Sequence, residues 1–260
     1  MRRGRAIGLG LVLALGFAAL IAGAAWIGAT RGPDLAFSDI DDLPGFRALT
    51  GAAGASRAGG GAVLLGVDGG AATAPAAEAS PDASICALLW ESGAPAEGPA
   101  DGRPRIAVFS DANCPYCRTL DGILAELAEA RPDLRVAHHE WPVLGPGSVV
   151  AARAALAAAR QGRFRALKTR LLDAAFAINP AYIAAVAPPL GIDADRLAAD
   201  MAAPEVDRIL AATDAAARRF GFAGTPSLVI GGTVAAGALS RARIEAILDA
   251  EAARDDRPCG

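Results

Sequence analysis

The residues best equipped for chemistry are Cys114 and Cys117, in the run Ser110-Asp111-Ala112-Asn113-Cys114-Pro115-Tyr116-Cys117-Arg118. Two thiols two residues apart can close a disulfide or supply half of a zinc site. A tetrahedral zinc site needs a second ligand pair, and His138-His139 is adjacent instead of spaced by three to five residues, with no second C-x-x-C. Position favours redox chemistry. Pro104 precedes the apolar run Ile106-Ala107-Val108-Phe109, which reads as a buried strand, and the cysteines follow it at the start of a helix. There, unpaired amide N–H groups and the positive end of the helix dipole favour the Cys114 thiolate. Pro115 suits the first helical position, where its missing N–H costs nothing. Cys117 falls one turn further in and less exposed. Neither intervening residue is Lys or His, so the helix is the expected source of thiol acidity. A thiolate stabilised in the reduced form makes the corresponding disulfide a stronger oxidant.

The elements that must position this pair are a strand over 106–109, a helix from Cys114 to about Ala130 stopped near Arg131-Pro132, and a second strand over 134–139. From Ser148 to Phe220 the pattern is helical, in segments 148–161, 164–177, 180–187, 193–202 and 204–220 separated by Gly or Pro. Ser227–Ile230, Gly231-Gly232 and Thr233–Ala236 form a hairpin pattern, and Ser240 caps a closing helix to Arg254. The order implies an α/β fold, a mixed sheet with a helical insertion. Residues 31–104 are Ala/Gly/Pro-rich and read as a loosely ordered lead-in with a few anchored segments. Leu43-Pro44-Gly45 marks a turn, 62–67 a first strand, and 84–90 a short apolar piece carrying Cys86.

The whole chain has 260 residues, 53% hydrophobic, but 66 are alanine and only 5% are aromatic. Net charge −3, scattered charge and few aromatics exclude nucleic acid as the main partner. Four cysteines cannot staple a fold of this size. Met1-Arg2-Arg3-Gly4-Arg5 is a basic start, and residues 6–30 then carry no charge, long enough to span a bilayer core of about 30 Å. Ala22-Gly23-Ala24 resembles a cleavage site, so residues 1–30 read as an uncleaved anchor or a signal peptide. Both send the remainder out of the cytoplasm, where Cys86 and the tail Cys259 can pair; a buried Cys86 with a free Cys259 is the alternative.

Three separated motifs resemble the DsbA-like thiol:disulfide oxidoreductases of the thioredoxin superfamily. They are Val108-Phe109-Ser110-Asp111 into Cys114-Pro115-Tyr116-Cys117; Glu140-Trp141-Pro142-Val143-Leu144-Gly145-Pro146 with Ser148; and Gly221-Phe222-Ala223-Gly224-Thr225-Pro226-Ser227. The resemblance covers about 104–254 and implies a thioredoxin-like domain over 105–254 with a helical insertion near 148–220, followed by a short tail, 255–260. It implies that Cys114 and Cys117 are catalytic, that Pro226 is cis beside them, and that Thr225 offers its backbone to an extended substrate, with Pro115 and Tyr116 at the same surface. It implies no cofactor and no metal. Cysteine-containing exported proteins would be the substrates, and a membrane partner would recycle the disulfide at the periplasmic face.

Departures from the pattern bear on direction. Oxidising members often have His where this chain has Tyr116, and Val where it has Thr225; both differences lean towards isomerases and reductases. The strand 106–109 carries no carboxylate beneath the disulfide. The helical insertion leans towards a dithiol oxidase, which is the first reading; isomerase or reductase is the second, and a metal or cytochrome-maturation chaperone using the same thiols a third. His138 and His139 are expected to end a strand at the surface, Asp111 to cap the active-site turn, and Glu140 to be at most a weak proton relay. Arg160, Arg163, Arg165 and Arg170 are expected on solvated faces, and Gly231-Gly232 is a turn and no nucleotide loop.

Overall fold

The computed structural model describes residues 33–50 and 84–259. The anchor or signal over 1–30 and the strand anticipated over 62–67 lie outside these residues. Among the described residues no helix is long and apolar enough to cross a membrane.

The centre of the molecule is a seven-stranded sheet. In chain order the strands are β1 (Ala36–Asp39), β2 (Arg47–Thr50), β3 (Ala96–Glu97), β4 (Arg105–Ser110), β5 (Arg135–Glu140), β6 (Ser227–Ile230) and β7 (Thr233–Ala236). They lie side by side as β1-β2-β7-β6-β4-β5-β3. β4 runs parallel to β5, Ile106 opposite Val136 and Ser110 opposite Glu140, and antiparallel to β6, Phe109 opposite Ser227. The β6–β7 hairpin turns through Gly231, whose φ of +57° suits a residue without a Cβ.

Successive side chains of a strand point to opposite faces, and β4 feeds two cores in this way. Ile106 and Val108 pack with Leu120, Leu124 and Leu127 of helix α2 (Pro115–Ala130) and with Ile244, Ile247 and Leu248 of α8 (Arg241–Ala252). Ala107 and Phe109 face the other way, towards Leu89, Trp141, Ala212 and Ala216. Leu89 belongs to α1 (Ile85–Trp90) and the two alanines to α7 (Pro204–Arg219). Burial on both faces explains why β4 reads as a continuous apolar run instead of an alternating one.

The insertion consists of α3 (Pro146–Ala159), α4 (Phe164–Leu172), α5 (Pro180–Val186) and α6 (Ala194–Met201), followed by α7. Its own core sets Ala151, Ala154, Ala155 and Ala158 against Leu167, Leu171 and Ile183. Small side chains let these helices approach closely, so alanine does here what aromatics do in other cores. The helix expected over 164–177 stops at Leu172, where the Arg118 side chain donates to the Leu172 carbonyl. That bond satisfies an acceptor that another helical turn would have used.

The described residues of the lead-in, 33–50 and 84–104, include anchored segments. β2 joins the sheet parallel to β7, and β3 closes the opposite edge antiparallel to β5. Arg47 donates to the buried Glu251 carboxylate at 2.8 Å, while Glu251 also accepts from the Gly232 N–H and the Thr233 hydroxyl, both at 2.7 Å. A disulfide joins Cys86 to Cys259 across 173 positions, with Cα atoms 5.3 Å apart. The described residues from Leu35 onward belong to one compact unit.

His138 and His139 correct their expected placement. Both are fully buried in β5. His138 Nε2 lies 3.0 Å from Glu97, and His139 bridges the Leu89 carbonyl at 3.0 Å and the Thr213 hydroxyl at 3.3 Å. Alternation puts one imidazole on each face of the sheet, each with polar partners that the sequence alone did not reveal. Arg160, Arg163 and Arg170 are exposed as expected and Arg165 is half-buried, donating to Asp121 at 2.8 Å; Arg160 pairs with Asp200 and Glu205, and Arg170 lies over the Tyr182 ring.

Candidate active site

β4 delivers the chain to the carboxyl edge of the sheet, and Asp111 then organises the turn. Its carboxylate accepts the Asn113 N–H at 2.8 Å and the Ser148 hydroxyl at 2.7 Å through one oxygen. Its other oxygen accepts the backbone N–H groups of Val143 and Leu144 at 2.8 and 2.9 Å. One buried carboxylate therefore ties the redox turn to the loop after β5 and to the first turn of α3. Asn113 adds a bond from its side-chain amide to Ser148 at 2.9 Å. The anticipated capping by Asp111 is present, with a wider reach than a cap.

Cys114 is the residue before the first turn of α2, and Pro115 occupies the first helical position. Both thiols are free and buried, and Leu172 of α4 packs against them. Tyr116 projects outward, 67% exposed. The Cys114 thiol donates to the Thr225 carbonyl at 3.3 Å. The Thr225–Pro226 peptide is cis. Cys114, Cys117, Pro115, Tyr116, Thr225 and Pro226 thus meet at one edge of the sheet, although 108 positions separate Cys117 from Thr225.

The two sulfurs differ sharply in acidity. The hydrogen bond from Cys117 lowers the Cys114 thiol to about 6 against the opposing effect of burial, with the Thr225 side-chain hydroxyl and the N–H groups of Cys117 and Tyr116 adding to it. The helix N-terminus contributes as anticipated, but its partner cysteine contributes more. Cys117 is pushed up by donating to that thiolate and by its own burial. An acidic nucleophile above a proton-holding partner is the division of labour that thiol–disulfide exchange requires.

A buried ion pair lies under this edge and escaped the reading of the sequence. Lys168 of α4 pairs with Glu140 at the end of β5, both almost wholly buried, and donates to the Ser110 hydroxyl at 2.7 Å. Lys168 sits one helical turn before Leu172, which touches the cysteines. β4 carries no carboxylate over 106–109; Glu140 stands opposite Ser110 on the neighbouring strand. The available signal was composition: Lys168 is the chain's single lysine among 25 basic side chains. Trp141 follows, and its indole donates to Asp214 at 3.2 Å.

Residues 105–249 match the model of the DSBA-like thioredoxin domain. The chain belongs to that family. A thioredoxin-like oxidoreductase from Silicibacter pomeroyi is 35% identical and superposes with a TM-score of 0.62 over 65% of this chain and 98% of its own. The probable thiol:disulfide interchange protein DsbC of Bordetella avium is 40% identical over 62 residues, which is 24% of this chain and 21% of that protein. A protein named Na(+)/H(+) antiporter NhaA from Herminiimonas arsenicoxydans is 29% identical over 154 residues, 59% of this chain and 25% of its own length. The chain thus spans about a quarter or less of the curated relatives it matches. The DSBA-like segment is a thiol–disulfide oxidoreductase domain, and in it Cys114 and Cys117 stand at the strand-to-helix turn facing Thr225–Pro226.

Proposed function

We propose that the chain is an exported dithiol oxidase that passes its Cys114–Cys117 disulfide to cysteine-containing proteins. The observation that carries this reading is the lowered Cys114 thiol, because whatever stabilises the reduced pair makes the oxidised pair a better electron acceptor. A substrate thiolate attacks Cys114 Sγ and breaks the Cys114–Cys117 bond; Cys117 leaves and takes up a proton, which its raised thiol holds well. A second substrate thiolate then attacks the substrate sulfur of the mixed disulfide and expels Cys114 as a stabilised thiolate. The substrate has lost two electrons and two protons, and the electrons reside on the reduced pair. Thr225 presents its backbone beside Cys114 to an extended substrate segment, and the exposed Tyr116 and Leu144 lie on elements bordering the turn. Export and attachment at the periplasmic face of the inner membrane rest on the basic start and uncharged run of residues 1–30, and a membrane redox partner would reoxidise the pair.

A second reading, isomerase or reductase, is favoured by Thr225 and Tyr116. A reduction potential measured against glutathione separates the two. A value near the oxidising extreme of such enzymes, about −120 mV, supports the oxidase; one near about −270 mV would replace it with the reductase. A thiol-based metal chaperone has less support, because among the described residues no group of three or more His, Cys, Asp or Glu could hold a metal ion. Stoichiometric metal on the purified protein, lost in Cys114→Ala, would favour it.

A further inference from the structure

At the opposite end of β4 from the cysteines, about 16 Å away at roughly 3.3 Å per residue, a cavity of about 230 Å³ opens beside the Cys86–Cys259 bridge. Arg103, Arg105, Arg257 and Trp90 line it, together with Cys259 itself. Most arginines in this fold have a carboxylate partner, as Arg47 and Arg254 have in Glu251. Among the described residues none of these three is paired with a carboxylate in an ion pair. The Arg105 guanidinium lies over the Trp90 ring at 5.4 Å, and its Nε is buried without a hydrogen-bond acceptor. Burial, followed by the nearby charges of Arg103 and Arg135, holds Arg105 below its ordinary value, with Asp101 opposing. Two carboxylates also line the cavity. Glu251 is already saturated by Arg47, Arg254, Thr233 and Gly232, and Asp133 is exposed. A concave site with unneutralised guanidinium forks and an aromatic wall is chemically complementary to planar or tetrahedral oxyanions.

We infer that this cavity binds a small molecule through a carboxylate or phosphate group held between Arg105 and Arg257. The disulfide assembles the site: Trp90 follows Cys86 in α1, while Arg257 precedes Cys259 in the tail, so the bridge brings the two walls together. Ligand binding and bridge integrity are then linked, each favouring the other. The site is separate from the redox pair and does not depend on the direction of electron flow.

The test is thermal unfolding and calorimetry of the full chain titrated with inorganic phosphate and, separately, with citrate, ionic strength being held constant with chloride. Saturable binding and a rising Tm are expected for at least one of them, and which one identifies phosphate or carboxylate as the recognised group. R257Q, on an exposed tail residue, and R105Q should each weaken binding tenfold or more, and C86S/C259S should weaken it too. R257Q should leave dithiol exchange unchanged. Binding of neither anion overturns the inference, as does binding that persists undiminished in R257Q, whatever becomes of R105Q.

Discussion

The thiol of Cys114 lies 3.3 Å from the carbonyl oxygen of Thr225, a residue 111 positions further along the chain. The contact exists because β4 and β6 are antiparallel neighbours, which brings the turn after one strand to the loop before the other. When Cys114 ionises it no longer donates to that carbonyl, and the thiol of Cys117 becomes the donor to it.

Cys114 should therefore titrate near pH 6, well under the ordinary range of about 8.5 for a free cysteine. Thiolate absorbance at 240 nm against pH is the measurement. Because the folded value is depressed, stabilisation of the reduced form is complete above the unfolded value and disappears as pH falls through about 6. Cys117→Ala removes the largest favourable contribution, so its midpoint should move upward. A midpoint unchanged in that variant would assign the acidity to the helix alone.

Asp111→Ala removes an acceptor of four hydrogen bonds. The Val143 and Leu144 amides then lose their partner, at a cost on the order of 2–3 kcal/mol for bonds to a charged group. Exchange should slow at least tenfold as the turn loses its anchor. Urea unfolding and single-turnover rates test both. A variant of native stability and normal rate would show that the loop after β5 holds itself.

Replacing Cys86 and Cys259 together with Ser should lower stability by up to about 5 kcal/mol, the chain-entropy value for a loop of this length, which strain and residual structure in the unfolded chain reduce. Exchange at Cys114 should persist, since the bridge lies at the other end of the sheet. In the native protein, mild reductant should open Cys114–Cys117 first, because only that pair has a stabilised reduced state. Thiol counting with peptide mapping resolves the order; release of Cys259 first would reverse it.

His138 and His139 bring acid sensitivity. Burial keeps His139 neutral, with a pKa of about 4, and lowers that of His138 as well. The unfolded chain takes up protons near 6.5 and the folded one does not, so stability is intact above that pH and falls as pH drops towards 4. Each imidazole contributes at most about 1.4 kcal/mol per pH unit. His139→Gln should flatten the dependence of urea midpoint on pH between 6.5 and 4.5; an unchanged slope would move the effect to the carboxylates.

Strands and helices whose information is local were legible in the sequence. Ile106–Phe109, the Gly231-Gly232 hairpin and the Ser240 cap all appear, whereas the sequence left open whether Cys86 pairs with Cys259, as it does. What depended on partners remote in sequence was not. Composition did not show what anchors the lead-in: Arg47 finds Glu251 across 204 positions, beside the pairing of β2 with β7. His138 and His139 carried no sign of the glutamate and carbonyl awaiting them. Nothing local to Lys168 points to Glu140, which α4 places against it. Cysteine acidity was assigned to the helix from local geometry, whereas the main donor is the sulfur of Cys117, whose effect requires the actual rotamers of both side chains.

The most direct test of the central claim is trapping with the disulfide form of a two-cysteine peptide. In Cys117→Ala the reduced Cys114 should attack an oxidised peptide and accumulate a mixed disulfide, mapped by mass spectrometry to Cys114, while Cys114→Ser should form none and lose catalysed exchange altogether. A mixed disulfide at Cys117, Cys86 or Cys259 in the otherwise native protein, or normal turnover by Cys114→Ser, would contradict it.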